Sequence, residues 1–322
     1  MFNKNKISYA HRFAVSLLLV LAVASMAFGQ IKLRTALDYD GDHRADYVVF
    51  RPSDSTWYML RSNNTISVQP FGIANEDYPT PGDYDGDGIG DLSVWRDTNG
   101  LWYRINSATN TFSVHGWGLP GDEPVARDYD NDGKTDLAVV RKSGGVLTWY
   151  IFLIGTGVSF STPFGLEGDF LAPGDYDGDG KFDLAVQRPG ATATSPATFY
   201  ILSAQGFQSI EWGQSRDLIV PGDYDGDGKT DIASVREGAT PTDVLTWNIR
   251  QSSTGNPLTY FWGLTGTDLL AQNDYDGDGK TDIAVWRNSD GKFYELNSSN
   301  QGINVWSWGL PNDMAVASYD TH

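Results

Sequence analysis

The sequence predicts an all-β protein: a β-propeller of six four-stranded antiparallel blades, with a calcium-binding hairpin loop in each. Three observations carry this. An acidic segment of the form D-x-D-x-D-x-x-x-D begins at Asp38, Asp83, Asp128, Asp175, Asp223 and Asp274, at spacings of 45, 45, 47, 48 and 51 residues. Every unit so delimited holds four short runs rich in Val, Ile, Tyr, Phe and Trp, bounded by Gly, Pro, Asn, Asp or Ser. No stretch after residue 30 sustains a 3.6-residue apolar period. Four short strands in a unit of this length make one propeller blade. Six blades are favoured and seven are the alternative, because Met314–Asp320 repeats the text of a strand entering a loop just before the chain stops at His322.

From the N-terminus, residues 1–29 read as a signal peptide. Lys4, Lys6 and Arg12 precede an apolar stretch from Phe13 to Phe28, and Ala27 and Gly29 place small residues before a cleavage site at Gln30. The stretch is shorter than the roughly 20 residues a spanning helix needs. A secreted protein, extracellular or periplasmic, with no membrane span after cleavage is therefore expected. Residues 30–322 then form a single propeller of units at about 35–80, 81–125, 126–172, 173–220, 221–271 and 272–322. Thr35–Asp38 is expected to supply the first entering strand, with Met314–Asp320 pairing beside it to latch the ring.

Inside a unit the text repeats in a fixed order. After the loop comes an apolar strand ending in Arg51, Arg96, Arg141, Arg188, Arg236 or Arg287. An aromatic pair or near-pair follows: Trp57-Tyr58, Trp102-Tyr103, Trp149-Tyr150, Phe199-Tyr200, Trp247-Asn248 and Phe293-Tyr294. The unit closes on Phe71-Gly72, Trp117-Gly118, Phe164-Gly165, Trp212-Gly213, Trp262-Gly263 or Trp308-Gly309. The arginines are expected to pair with a carboxylate or carbonyl between blades. The aromatics are expected to fill the interfaces between neighbouring blades rather than to stack on sugars.

Composition narrows the function. The chain has 23 Lys and Arg against 41 Asp and Glu, a formal charge of −18 that becomes −21 without residues 1–29. Nucleic acid is excluded as a partner, because phosphate binding needs basic side chains. With no Cys, there are no disulfides, thiolate metal sites or thiol catalysis. No nucleophile elbow, phosphate loop or H-E-x-x-H occurs, and His43 and His115 share no ligand or catalytic pattern, so both are expected as surface residues.

The acidic loops point to Ca2+, a hard cation that takes 6–8 oxygens. In an EF-hand loop, positions 1, 3 and 5 supply side-chain oxygens, position 7 a carbonyl, and a Gly at 6 permits the turn. Here Asp175, Asp177 and Asp179 fill positions 1, 3 and 5, Gly180 position 6, the Lys181 carbonyl position 7, and Asp183 closes the set at position 9. The second loop offers Asp83, Asp85, Asp87, Ile89 and Asp91; the third, Asp128, Asp130, Asp132, Lys134 and Asp136. The fifth offers Asp223, Asp225, Asp227, Lys229 and Asp231, and the sixth Asp274, Asp276, Asp278, Lys280 and Asp282. The first has Asp38, Asp40, Asp42, Arg44 and Asp46, but His43 stands where Gly is wanted. A non-Gly residue in a left-handed turn costs about 1 kcal/mol, so loop 1 is expected to be the weakest site. Asn131, at position 4 of loop 3, is expected to point outward and to tolerate left-handed geometry. Four carboxylates in nine residues repel one another unless protonated or neutralised, so up to six structural Ca2+ are expected.

These residues resemble a known family. The D-Y-D-G-D-G-K-T-D loops, the aromatic-Gly closures and the Pro-Gly-Asp entries at Pro81, Pro173 and Pro221 are similar to FG-GAP/VCBS repeats. That resemblance covers about residues 35–320 and implies the propeller found in integrin α-subunit heads and in secreted bacterial proteins and lectins. With a scaffold and metal loops but no catalytic constellation, a secreted or cell-surface, calcium-binding, non-enzymatic module for binding or adhesion to a protein or glycan is expected. The alternatives are a calcium-dependent lectin and a polysaccharide-acting enzyme.

Overall fold

The computed structural model describes residues 36–316. The expected signal peptide lies outside the described residues. Among them, no helix is long and apolar enough to cross a membrane.

The strands form six four-stranded antiparallel sheets, the blades of a propeller. Blade 2 shows the pattern, with strands Asp77–Pro79, Leu92–Arg96, Leu101–Ile105 and Phe112–Gly116. Its acidic loop joins the first two, as expected. The second strand is a short apolar run whose first four residues are all buried, because neighbouring blades cover both of its faces. The third strand in blades 3, 4 and 5 alternates buried and half-buried residues, as a period of two requires. The fourth strand carries the exposed positions and forms the rim, which leaves the short first strand on the axis side. Buried side chains collect between blades, led by Trp57, Trp95, Trp102, Trp149, Trp247 and Trp286.

Ring closure differs from the expectation. Ala36–Leu37 form a turn of 3-10 helix rather than a strand. Met314–Ala315 takes the first-strand position of blade 1, pairing Ala315 with Val49 and Met314 with Phe50. The C-terminal strand is thus the missing quarter of blade 1 and not a surplus one. The reason is electrostatic. In the other blades an Asp six residues before the loop pairs with the Arg ending the second strand. Lys32 holds that place in the N-terminal sequence, whereas Asp313 arrives with the C-terminal strand and binds Arg51 through two hydrogen bonds of 2.8 and 2.9 Å.

Candidate metal centres

Each acidic loop is organised around the carboxylate at position 1. In loop 4, Asp175 accepts the Gly178 N–H at 2.6 Å and the Gly180 N–H at 2.8 Å. The same pair of bonds reaches Asp38, Asp83, Asp128, Asp223 and Asp274. Both donors lie at left-handed residues, which explains the glycines at positions 4 and 6. The two exceptions comply: His43 adopts φ +68° and Asn131 φ +62°. Asn131 does not merely point outward, because its side-chain amide donates to the Asp179 carbonyl of the next loop at 3.2 Å.

Position 9 ties the loop to the blade. Asp46 accepts the Tyr39 N–H at 2.7 Å, and Asp91, Asp136, Asp183, Asp231 and Asp282 accept the matching tyrosine N–H. In five loops its other oxygen accepts a backbone N–H from the hairpin between third and fourth strands, at Ser62, Ser107, Ile154, Ser252 and Ser298. The residues at position 7 are tied down in turn: the N–H groups of Arg44, Ile89, Lys134, Lys181, Lys229 and Lys280 donate to the position 5 carboxylates.

This framework gathers carboxylate oxygens. In loops 2 to 5, positions 1, 3 and 9 bring one oxygen each within 4.8 Å of one another: Asp83, Asp85 and Asp91; Asp128, Asp130 and Asp136; Asp175, Asp177 and Asp183; Asp223, Asp225 and Asp231. In loop 1 the set is Asp38, Asp40 and Asp42, so it lacks position 9. Position 5 lies outside the sets of loops 2 to 5. There Asp87 and Asp227 accept the Ser107 and Ser252 hydroxyls, as Asp42 and Asp278 accept those of Ser62 and Ser298. Those serines carry no sequence signal beyond a place about five residues after the aromatic pair.

The clusters strain electrostatically as they stand. Burial strips water from the charged form and, with carboxylate neighbours, pushes Asp46, Asp136, Asp183, Asp231 and Asp282 up to about 7. Asp83 and Asp223 rise to about 6 for the same reasons. Asp40 Oδ1 and Asp85 Oδ1 are buried with no hydrogen-bond donor. An all-oxygen set with raised carboxylates and undonated lone pairs fits a hard divalent cation.

The loops also join the blades. The N–H at position 8 of each loop donates to the position 1 carbonyl of the preceding loop. The bonds are Gly90 to Asp38, Thr135 to Asp83, Phe182 to Asp128, Thr230 to Asp175, Thr281 to Asp223 and Ala45 to Asp274, at 2.6–3.0 Å. The last of these closes the circle. Side chains interlock beside it: a Cβ at Gly82 would stand 2.6 Å from Thr135 Oγ1, and Gly174 and Gly222 face Thr230 and Thr281 as tightly. The Pro-Gly-Asp entries therefore keep room for the threonine of the next loop.

The far end of the second strand is built differently. Each recurring arginine grips both oxygens of a buried Asp: Arg51 with Asp313, Arg96 with Asp77, Arg141 with Asp122, Arg188 with Asp169, Arg236 with Asp217 and Arg287 with Asp268. The pairs lie within one sheet, not between blades. The same Asp accepts a backbone N–H just after the aromatic-Gly closure, such as that of Leu119 at 2.8 Å. The sequence reading missed these aspartates, although five of them stand 19 residues before their arginine. The tyrosine of the aromatic pair lies under the guanidinium, at 3.9–4.5 Å in five blades. Its partner, Trp or Phe, is fully buried. His115 is half-buried against Phe152 at 4.6 Å rather than free on the surface, and that burial lowers its pKa.

Two segments, residues 38–94 and 128–186, match the family model of the FG-GAP-like repeat. No curated protein matches the chain. Among solved structures it is similar to a triple arginine-to-alanine mutant of AofleA from Arthrobotrys oligospora, at 11% identity and TM-score 0.53 over 84% of each chain. It is also similar to TolB from Acinetobacter baumannii, at 13% identity and TM-score 0.52, over 84% of this chain and 63% of that one. At such identities the likeness shows the fold alone.

Proposed function

We propose that this chain of FG-GAP-like repeats is a secreted, non-enzymatic binding module, a propeller braced by structural Ca2+ that presents its surface to a protein or glycan. The observation that carries the reading is the closed circle of hydrogen bonds running through the same position 1 aspartates whose carboxylates cluster. Whatever fixes those aspartates also fixes the joints between blades.

Calcium would be held in loops 2 to 5 by the clustered carboxylates at positions 1, 3 and 9, and in loop 1 by Asp38, Asp40 and Asp42. The remaining carboxylate and the carbonyl at position 7 are the further oxygens on offer, and the ion would supply charge neutralisation. The protein's own part is positional: backbone N–H groups orient positions 1 and 9 before any ion arrives. The buried tryptophans and guanidinium-covered tyrosines weigh against repeated sugar platforms and leave the cleft walls and rim for recognition.

The test is a thermal melt with calcium and with excess chelator. At ~1 mM calcium and a Kd of ~10⁻⁴ M, each site adds about 1.4 kcal/mol. With about 2–4 °C per kcal/mol, six sites predict a fall of roughly 17–34 °C on chelation. An unchanged melt would remove calcium from the account.

A further inference from the structure

Four blades close on a Trp whose indole N–H crosses to a backbone carbonyl of the next blade. Trp117 reaches Tyr150, Trp212 reaches Asn248, Trp262 reaches Tyr294 and Trp308 reaches Tyr58, each at 3.1 Å. Phe71 and Phe164 hold this place in the other two blades, and neither ring has an N–H to give. At Phe164 the interface is covered by a further ring, since Phe207 meets it edge-on at 6.5 Å and stacks on Tyr200 at 6.0 Å. At Phe71 a cleft of about 400 Å³ stays open between blades 1 and 2, lined chiefly by Asp54, Phe71, Val94, Arg96, Tyr103 and Phe112.

The chemistry of this cleft selects its occupant. Arg96 is already spent: it holds Asp77 at 2.6 and 2.9 Å, with Glu76 at 4.0 Å. It also lies over Tyr103 at 4.4 Å, while Phe112 packs beside that ring at 6.3 Å, so both crowd the Tyr103 ring against a stacked sugar. At the rim Asp54 is an exposed carboxylate whose Oδ2 accepts the Tyr58 hydroxyl at 2.9 Å. Arg51, held by Asp313 and lying over Tyr58, is also within electrostatic reach of Asp54, so two arginines stand among four carboxylates and the net field still favours a positive guest. The walls beneath, Phe71, Val94 and Phe112, suit an apolar stem.

We propose that the cleft between blades 1 and 2 receives a basic side chain, arginine or lysine, from a partner polypeptide. The stem lies along Phe71 and Phe112, and the charged head reaches Asp54. This rests on the reading of the chain as a binding module, and it names the kind of partner and the place.

The test uses the full chain in calcium buffer, with N-acetyl-arginine methylamide, its lysine counterpart and neutral methyl glycosides as probes, followed by saturation-transfer NMR. Both basic probes should bind saturably, and binding should weaken several-fold in 0.5 M salt, as exposed charge pairs do. Phe71→Trp installs the closure of four other blades and should abolish binding while keeping or raising the melting temperature. Asp54→Asn, on an exposed side chain, should weaken binding about tenfold with no change in the melt. Undiminished binding in both variants, or binding of a glycoside in place of the basic probes, would overturn the proposal, as would no binding of any probe. The chelator melt is independent of this cleft: loss of the calcium reading leaves probe binding intact, and failure of the probes leaves the melt unaltered.

Discussion

The two ends of the second strand use carboxylates in opposite ways. At its C-terminal end a buried Asp meets an arginine from the same sheet, as Asp122 meets Arg141 at 2.7 and 2.8 Å, and the charge is settled within the chain. At its N-terminal end three or four carboxylates face one another with backbone N–H groups as their chief donors, and Asp136 is pushed up to about 7. One end is complete as translated. On the function proposed above a cation completes the other, which is also the end that links each blade to the next.

The largest effect expected of one substitution belongs to the self-sufficient end. Arg141→Ala leaves Asp122 buried and uncompensated, and breaking a buried pair costs about 3–5 kcal/mol. The guanidinium is 29% exposed, so about 3 kcal/mol is expected. Urea unfolding should show that loss equally with calcium and with chelator. A loss present only in calcium would erase the distinction between the two ends.

At the other end the sign should depend on the ion. Asp177→Ala should cost about 1.4 kcal/mol in ~1 mM calcium, by removing one site. In chelator it should be neutral or stabilising, because it relieves repulsion on Asp175 and Asp183. The same unfolding curves measure both, and an equal loss in the two buffers would make the loop a simple structural turn. Loss of every site from this one change would contradict repeats stabilised unit by unit.

The metal-free protein should also respond to pH without any substitution. The position 9 carboxylates have folded values of about 7, above the ordinary value of about 3.9 for an unfolded Asp. The folded state therefore binds protons more tightly, and stability falls as pH rises from about 4 through about 7. In chelator the melting temperature should be higher at pH 5.5 than at pH 8. With calcium the difference should shrink or invert, since the ion binds the deprotonated form. A metal-free melt that improves with rising pH would show that these groups are not the ones titrating.

Much of this architecture is legible in the sequence because the repeat is written in side chains. Six aspartate ladders count six blades, and the burial of Trp57, Trp102, Trp149 and Trp247 follows from their place in alternating strands. What stayed hidden depends on pairings across the ring. Nothing in the local text of Met314–Ala315 says that it completes blade 1; the clue is Asp313 against Lys32, 281 positions apart in the chain. The circle of bonds between loops is made by backbone groups, which leave no mark except where Gly82, Gly174 and Gly222 make way for a threonine. The Asp–Arg pairs had a visible mark in their constant spacing of 19, which the more conspicuous acidic loops overshadowed. The serines over position 5 come from a hairpin some 20 residues on, such as Ser107 over Asp87, and so escaped a reading confined to nine-residue loops.

The proposal that a cation completes one end of each blade is tested most directly by titrating the chelator-stripped protein with calcium in a calorimeter. The account predicts saturable binding at up to six sites, with loop 1 the weakest because His43 sits at φ +68° and its carboxylate set omits Asp46. Magnesium should bind more weakly, since it demands rigid octahedral geometry. A flat titration, with the stripped protein melting where the untreated one does, would contradict it.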